Sequence, residues 1–375
     1  MNPEMSKDFT RTLPLREFPL IKKFGRENRT LASFDLEITA RCNNSCRHCN
    51  INLPALDEKA IKEEMPLKEI LEIADEAISL GAVWCLITGG EPLLRDDFLD
   101  IYLGLRKRGL LITLFTNATL FSDKHIKLLR KYPPRLIEVT VYGVTESTYE
   151  RVTRVQGSYW SFHNGLMKLI KEGLKVRLKT MAIQSNLAEL PEIISFCVKY
   201  TRDFVRWDPF LKLRYDRNIN KNNDIRLERI PLEEIIRLEK SDTQRYAYMK
   251  NICNDLILAY RPMTDKHYIF YCAAGVGNFS LGYNGIFRLC PSLWHPDCVY
   301  NLRKGNLTYA WRTFVPIVRK MQSDCADFLK NCHKCNIVNL CMWCPAQSYL
   351  ETGNLDSPVD LFCKIAHSRS KALEE

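Results

Sequence analysis

Strand-like and helix-like patterns alternate along the chain from about residue 34 to residue 208. Helical periodicity, in which apolar residues recur every three or four positions, fills the stretches between short apolar or alternating runs. The predicted strands are Phe34–Thr39, Val83–Ile87, Leu110–Phe115, Leu136–Tyr142, Leu174–Lys179 and Phe204–Trp207. The predicted helices are Leu67–Gly81, Asp96–Lys107, Ser122–Lys131, Ser161–Glu172 and Pro191–Lys199.

Repeated strand–helix units predict an α/β fold with a parallel sheet and right-handed crossovers. Eight units would close a complete TIM barrel, so the six strands of this pattern predict a partial (β/α)6 TIM-like barrel. In such a barrel the chemistry belongs to the loops at the carboxyl ends of the strands. The segment from Lys212 to Arg229 is polar and charged, and it is predicted to be a surface linker.

Composition divides the chain into four predicted parts. An N-terminal extension covers residues 1–30, and the partial barrel covers residues 31–235. Residues 236–265 are predicted to be a linker with a bridging helix, and residues 266–375 a cysteine-rich domain, because cysteines become dense after Tyr271. Only 33 residues precede the first predicted strand, which is too few for a folded module of about eighty residues.

Fifteen cysteines in 375 residues, without a charged-then-apolar signal segment at the start, favour metal ligation over disulfides. The net charge of +10 is spread along the chain and forms no compact basic block. No nucleic-acid-binding module and no apolar run of membrane-spanning length is recognisable. The composition therefore predicts a cytoplasmic protein without a nucleic-acid or membrane partner.

The segment after the first predicted strand carries Cys42, Cys46 and Cys49 in the spacing C-x3-C-x2-C. Three thiolates on one short loop can hold three irons of a [4Fe–4S] cluster and leave the fourth iron open to a reactant. The alternative is a structural zinc site with His48 as the fourth ligand. The crowding of four ligands into one short loop favours the cluster.

A second motif, Gly89-Gly90-Glu91-Pro92, follows the second predicted strand. Two glycines at a strand end allow a ligand to approach the backbone closely, and Glu91 offers an acceptor for an ammonium group. The alternative interpretation is an ordinary turn that leads into a helix with a proline in its first turn.

Together, the cysteine loop and the Gly-Gly-Glu-Pro segment resemble the radical SAM superfamily over residues 30–210. The resemblance implies that Cys42, Cys46 and Cys49 ligate a [4Fe–4S] cluster and that Gly89–Pro92 binds the amino group of S-adenosylmethionine. It places Thr116 and Asn117 near the adenosine and Thr140 in the same pocket. Lys179, or Arg177 on the same strand, would face the methionine carboxylate, and His48 would be the apolar or aromatic position before the third cysteine.

The C-terminal cysteines resemble a SPASM domain, which carries auxiliary [4Fe–4S] clusters. The resemblance implies an outer cluster on Cys332, Cys335, Cys341 and Cys363, and an inner cluster on Cys272, Cys290 and Cys344. Cys253, Cys298 and Cys325 are alternative eighth ligands, and an inner cluster with an open site is the further alternative. Two residues, where three are usual, separate Cys341 from Cys344, and the two C-x2-C pairs leave a zinc-binding cap as the alternative.

The resemblance implies a peptide- or protein-modifying enzyme that abstracts hydrogen through a 5′-deoxyadenosyl radical. The expected partners are a reductant such as ferredoxin or flavodoxin and, if the substrate has a leader, a separate leader-binding protein. Pro291, where sulfatase-maturing members have aspartate, disfavours that activity. Two alternatives remain open: an enzyme for a small molecule or cofactor precursor, such as a haem or quinone precursor, and a zinc-stabilised adaptor for acidic partners.

Overall fold

The computed structural model describes residues 30–201, 205–243, 246–247, 249–250 and 267–374. The predicted N-terminal extension therefore lies outside the described residues except for Thr30. The same holds for residues 251–265 of the predicted linker, including Cys253.

A nine-stranded sheet organises the described residues, and its six barrel strands are consecutive parallel neighbours. This arrangement confirms the predicted α/β fold and is consistent with a partial TIM barrel. The strands of this sheet are β1 (Ser33–Thr39), β4 (Trp84–Gly89), β5 (Leu111–Thr116), β6 (Leu136–Thr140), β7 (Val176–Met181), β8 (Arg206–Asp208), β9 (Asn278–Leu281), β10 (Ile286–Arg288) and β11 (Val299–Asn301). A separate parallel pair consists of β2 (Arg41–Cys42) and β3 (Leu53–Pro54).

Helices connect the strands of the barrel, and each predicted helix is present within a few residues of its expected bounds. The barrel helices are Glu58–Glu63, Leu67–Ser79, Phe98–Lys107, Asp123–Lys131, Glu146–Thr153, Ser158–Lys171, Leu190–Tyr200, Ile219–Leu227 and Leu232–Ser241. The C-terminal helices are Leu307–Tyr309, Val315–Arg319, Ala326–Asn331, Pro345–Thr352 and Asp360–Glu374, with a π-helical turn at Ala310–Phe314. Local sequence sets several helix starts, since Ser122 and His125 form a reciprocal cap at one of them.

The prediction of a surface linker between Lys212 and Arg229 was wrong. The segment contains the helix Ile219–Leu227, and Leu213, Arg214 and Ile225 are buried. The polar composition is misleading because the buried arginine has its charge matched by Asp216 at 2.8 Å.

The cysteine-rich C-terminal region joins the barrel through the same sheet. β9 pairs in parallel with β1, and β10 returns antiparallel to β9. The rings of Phe34 and Phe279 stack across this junction at 5.5 Å, and both side chains belong to one continuous hydrophobic core. Shared backbone hydrogen bonds and a shared core therefore hold the C-terminal region against the first barrel strand.

A buried ion pair crosses the same junction. Arg288 on β10 is fully buried, donates to Glu37 on β1 at 2.5 Å and lies 3.7 Å from the centre of the Trp294 ring. Asp35, two positions before Glu37 on the same face of β1, accepts a hydrogen bond from Ser280 on β9. Burial is the largest effect on Asp35 and raises its pKa to about 6.

Phe279→Ala is expected to lower the free energy of unfolding by about 3–5 kcal/mol, because it removes a fully buried ring and leaves a cavity. The measurement is urea unfolding followed by circular dichroism. Ile317→Ala is the control, since that side chain is 57% exposed and its loss should cost little. Equal effects of the two substitutions would contradict a shared core at the junction.

Asp35→Asn is expected to stabilise the protein at pH 7 but not at pH 4. The folded state holds the Asp35 proton more tightly than the unfolded state, so wild-type stability falls as the pH rises from about 4 to about 6. Asparagine carries no charge and avoids this loss. Thermal unfolding across this pH range measures the difference, with exposed Asp100→Asn as the control. A gain that is independent of pH would argue against a buried Asp35 charge.

Candidate active site

A pocket of about 330 Å³ collects side chains from the carboxyl ends of the parallel strands and from the loop after β1. Of the residues predicted from sequence, it brings together Cys42, Cys46, Cys49, Gly89, Gly90, Thr116, Asn117, Thr140 and Lys179. The pocket is also lined by Asn44, His48, Tyr142, Asp208, Phe210 and Lys212. The pocket lies where a TIM-like barrel is expected to carry its chemistry.

Two thiols of the cysteine loop, Cys42 and Cys46, are costly to ionise in this protein on its own. The pKa of Cys42 is raised to about 12, mainly by burial and also by the negative charges of Glu91 and Cys49. Burial also raises the pKa of Cys46 well above its ordinary value, and the Cys49 and Cys42 charges add to the effect. A positively charged group bound at this loop would reduce the penalty for these two thiolates.

The donor set of the loop fits an iron–sulfur cluster, which binds thiolates and accepts hydrogen bonds at its sulfurs. Both polar atoms of the buried Asn44 amide and the Nδ1 atom of His48 have no hydrogen-bond partner among the described residues. These unpartnered polar atoms belong to side chains that line the same pocket. No three His, Cys, Asp or Glu side chains in the described part of the chain are grouped to hold a single metal ion.

The two glycines of the second motif are required by a close approach between backbone segments. A Cβ atom on Gly89 would lie 2.0 Å from the Thr39 carbonyl oxygen, and one on Gly90 would lie 2.1 Å from that of Arg41. Gly89 also has a φ of 141°, which side chains rarely allow. The two glycines therefore allow the end of β4 to pack directly against the start of the cysteine loop.

Glu91 is fully buried and joins three elements with its carboxylate. It accepts hydrogen bonds from Leu93 N at 3.1 Å, Thr116 Oγ1 at 2.8 Å and Asn117 N at 2.7 Å. Burial raises its pKa to about 7, and the hydrogen bonds oppose that rise. In this structure both carboxylate oxygens are used within the protein, and neither Glu91 nor Pro92 lines the pocket. Pro92 begins a short turn, Pro92–Leu94.

Asn117 connects the end of β5 to the cysteine loop. Its Nδ2 atom donates to Asn43 Oδ1 at 2.9 Å and lies 3.8 Å from Cys42 Sγ. Asn43 in turn donates to Thr119 Oγ1 at 2.8 Å. The side chain predicted to lie near an adenosine therefore also fixes the loop that carries the thiols.

Lys179 already has a carboxylate partner inside the protein. Its Nζ atom donates to Glu138 Oε2 at 3.1 Å and lies 3.2 Å from the centre of the Phe115 ring. Burial is the largest effect on this ammonium group and lowers its pKa to about 8, although Glu138 opposes the shift. Arg177, the sequence alternative on β7, donates to the same Glu138 at 3.3 Å.

Arg214 is a site-forming residue that sequence reasoning missed. It is buried and donates through Nη1 to the carbonyl oxygen and the side-chain oxygen of Asn52, both at 3.1 Å. Asn52 lines the pocket directly after the cysteine loop. Nothing in a polar stretch marks one arginine among several as buried, so the sequence carried no signal for this contact.

The C-terminal cysteines fall into two groups. The pKa of Cys344 is raised to about 11, mainly by burial and also by the charges of Cys290 and Cys272, so these three thiols are close enough to interact electrostatically. Cys341, whose pKa is raised mainly by burial, is likewise affected by Cys335 and Cys363. These groups contain the same residues as the predicted inner set and three of the predicted outer set. Their ligation of clusters stays a prediction.

The remaining cysteines are distributed around these groups. Cys332 ends the helix Ala326–Asn331, and its carbonyl oxygen accepts from Cys335 N at 3.2 Å. Cys298 is buried, and the pKa of its thiol is raised to about 12 by burial first and by Asp297 and Cys290 after it. Cys325 precedes the same helix as its N-terminal flanking residue. Cys298 therefore lies near Cys290 of the predicted inner set, and the identity of the eighth cluster ligand stays a prediction.

Residues 36–197 match the model of the Radical SAM superfamily. The chain carries a Radical SAM domain. Its cysteine-rich C-terminal region fits a SPASM domain, and the Radical SAM family implies a [4Fe–4S] cluster and S-adenosylmethionine. The domain and the relatives named as enzymes support an S-adenosylmethionine-dependent enzyme, which displaces the alternative of a zinc-stabilised adaptor. No helix in the described part of the chain has both the length and the apolar character needed to cross a membrane.

Two relatives and one solved structure illustrate the likeness. The chain is 26% identical to a probable GTP 3′,8-cyclase of Methanococcus maripaludis, over 72% of this chain and 86% of the relative. It is 23% identical to an AdoMet-dependent heme synthase of Methanosarcina barkeri, over 85% and 92% respectively. The crystal structure of Streptococcus suis SuiB bound to S-adenosylmethionine has the same fold, with a TM-score of 0.67, 16% identity, and coverage of 92% of this chain and 80% of SuiB.

Glu91→Ala is expected to lower the free energy of unfolding by about 2–5 kcal/mol, because it leaves three donors without their acceptor in a buried site. Glu91→Gln keeps one acceptor oxygen and should have a smaller effect. Anaerobic urea unfolding of the protein measures both, with Glu58→Ala, at a side chain that is 86% exposed, as the control. Wild-type stability in Glu91→Ala would mean that Thr116 and Asn117 are held by other contacts.

Proposed function

We propose that this enzyme cleaves S-adenosylmethionine reductively in the pocket and abstracts a hydrogen atom from a peptide or protein substrate. The observation that supports it is the convergence of Cys42, Cys46 and Cys49 with the Gly89-Gly90 segment on one pocket at the strand ends. The match to the Radical SAM family indicates the reaction that these residues would carry out.

Cys42, Cys46 and Cys49 would hold the [4Fe–4S] cluster, and the pocket beside it would take S-adenosylmethionine. When bound, the cluster supplies the electron that cleaves the cofactor to a 5′-deoxyadenosyl radical. The protein's own part is orientation: Glu91 fixes Thr116 and Asn117, and Asn117 fixes the cysteine loop.

The size of the pocket supports a substrate that is held largely outside it. Its volume of about 330 Å³ is near the lower end for small-molecule sites, and a ligand as large as S-adenosylmethionine would occupy most of it. Only a small reacting group of the substrate has room to enter beside the cofactor. A side chain presented by a peptide meets this condition. SuiB, which shares the fold, has also been crystallised with its precursor peptide SuiA.

A small molecule or cofactor precursor is the second candidate substrate. It is favoured by two relatives, a probable GTP 3′,8-cyclase and an AdoMet-dependent heme synthase, which align with most of this chain. Either substrate requires an electron donor, for which ferredoxin or flavodoxin is the proposed partner. A separate leader-binding protein is proposed only for the peptide substrate.

Anaerobically reconstituted and reduced enzyme is expected to form 5′-deoxyadenosine from S-adenosylmethionine, measured by mass spectrometry. The Cys42/Cys46/Cys49→Ala triple variant should form none, because it lacks the ligands of the reducing cluster. Cys197→Ala, at a cysteine on the helix Leu190–Tyr200 that belongs to no predicted cluster, is the matched control for loss of a cysteine outside this loop. Product from the triple variant at the wild-type rate would overturn the assignment of the cysteine loop.

The class of substrate is tested by adding cell extract from the source organism to the same reaction. A peptide or protein substrate is expected to raise 5′-deoxyadenosine formation, to lose this effect after protease treatment and to be retained on dialysis. Stimulation that survives the protease and passes the dialysis membrane would exclude the peptide proposal and support a small precursor.

A further inference from the structure

The side chain of Asn117 belongs to a closed ring of hydrogen bonds beside the cysteine loop. Its Oδ1 atom accepts from Thr119 Oγ1 at 2.6 Å, and Thr119 Oγ1 in turn accepts from Asn43 Nδ2 at 2.8 Å. Asn43 Oδ1 completes the ring by accepting from Asn117 Nδ2 at 2.9 Å. Three side chains from two loops therefore fix the positions of one another.

A backbone contact decides which atom of the Asn117 amide is the oxygen. Thr119 N lies 2.9 Å from Asn117 Oδ1, and a backbone N–H group can only donate. The amide atom that faces Thr119 is therefore the carbonyl oxygen, and the amide nitrogen faces Asn43 and Cys42. The network thus resolves the ambiguity between oxygen and nitrogen that an asparagine amide otherwise has.

The amide nitrogen of Asn117 has two protons but only one acceptor within the ring. One N–H group donates to Asn43 Oδ1, and the second is available to Cys42 Sγ, which lies 3.8 Å from the nitrogen. The same sulfur accepts from Asn44 N at 3.4 Å. Cys42 therefore has one donor from the backbone of its own loop and one from a side chain at the end of β5.

Both ends of the contact between Asn117 and Cys42 are held by the fold. Glu91 Oε2 accepts from Asn117 N at 2.7 Å, which fixes the backbone at the end of β5. Cys42 lies on β2, which pairs with β3 at Pro54. Asn117 and Cys42 are half-buried and line the same pocket, so their contact is partly shielded from water, which strengthens a hydrogen bond.

We propose that the Asn117 amide raises the reduction potential of the [4Fe–4S] cluster held by Cys42, Cys46 and Cys49, by donating a hydrogen bond to Cys42 Sγ. Reduction of a cluster adds one negative charge that its irons and sulfurs share, so an N–H donor at a ligand sulfur stabilises the reduced state more than the oxidised state. Asn117 is then a positioning residue that acts through Cys42 and makes the cluster easier for a ferredoxin or flavodoxin to reduce. The inference rests on the proposed function, since it requires a cluster at these cysteines.

The test measures the midpoint potential of this cluster in full-length protein, by an anaerobic redox titration followed by electron paramagnetic resonance. S-adenosylmethionine is left out, so that a contact between Asn117 and the adenosine cannot contribute. The signal of this cluster is the one that is missing from the Cys42/Cys46/Cys49→Ala variant. That comparison separates it from any signal of the C-terminal cysteines.

Asn117→Leu removes the N–H donor at a similar side-chain volume and is expected to lower the midpoint. At a fixed potential, the ratio of reduced to oxidised cluster should fall several-fold, and a tenfold fall corresponds to about 59 mV for a one-electron couple. Asn117→Asp keeps the oxygen that Thr119 binds but replaces the donor by a charged acceptor, so the ratio should fall at least as far. Asn223→Leu, at an exposed asparagine on the helix Ile219–Leu227 that does not line the pocket, is the matched control.

Electron–nuclear double resonance of the same cluster distinguishes a hydrogen bond from an indirect effect of packing. The parent protein should show a coupling to an exchangeable proton that is absent from Asn117→Leu, while the coupling from the Asn44 backbone N–H stays. A lowered midpoint with unchanged exchangeable-proton couplings would overturn the hydrogen bond as the cause.

The outcomes separate the inference from the proposal beneath it. A parent protein without the cysteine-loop signal would overturn the proposed function and this inference together. A parent signal with a midpoint that both Asn117 variants leave unchanged, or that Asn223→Leu lowers equally, would overturn the inference alone. Thermal unfolding checks that each variant folds, and Asn117→Asp, which has nearly the shape of the parent side chain, decides the question if the leucine variant does not fold.

Discussion

The close contact between the end of β4 and the start of the cysteine loop is the constraint on which the site depends. Gly89 and Gly90 lie against the carbonyl oxygens of Thr39 and Arg41 with no space for a Cβ atom. This contact also allows Gly90 N and Glu91 N to donate to those two carbonyl oxygens, each at 2.8 Å. Backbone contacts therefore fix the position of the cysteine loop against β4, and the side chains of the loop are not needed for this.

A series of side-chain hydrogen bonds connects the cysteine loop with the ends of β4 and β5. Glu91 receives hydrogen bonds from the end of β5, and Asn117 returns from β5 to Asn43 within the cysteine loop. Glu91 is a fully buried acceptor that would be costly to leave unmatched. These contacts hold three half-buried thiols at the pocket, and the pKa of two of them, Cys42 and Cys46, is raised mainly by burial, so a bound cation would favour their ionisation.

The sequence predicted the barrel well because its strands and helices have clear and different periodicities. It also predicted most of the residues that line the pocket, since the carboxyl ends of parallel strands meet at one edge. It did not predict the hydrogen bonds of Glu91, whose partners Thr116 and Asn117 are 25 and 26 residues away and are known only from the fold. Arg214 was missed for the same reason, because its burial depends on Asn52, which is 162 residues earlier.

The pairing of β1 with β9 connects the two cysteine-bearing regions through one sheet. The β1 strand leads directly into the first cysteine loop, while β10, which pairs with β9, leads directly to Cys290. One sheet therefore sets the relative position of two sets of thiols, and Arg288 and Glu37 add a buried ion pair between the same strands. The composition predicts a separate domain for the C-terminal cysteines. Because β9 pairs in parallel with β1, however, the position of these cysteines is set by the sheet of the barrel.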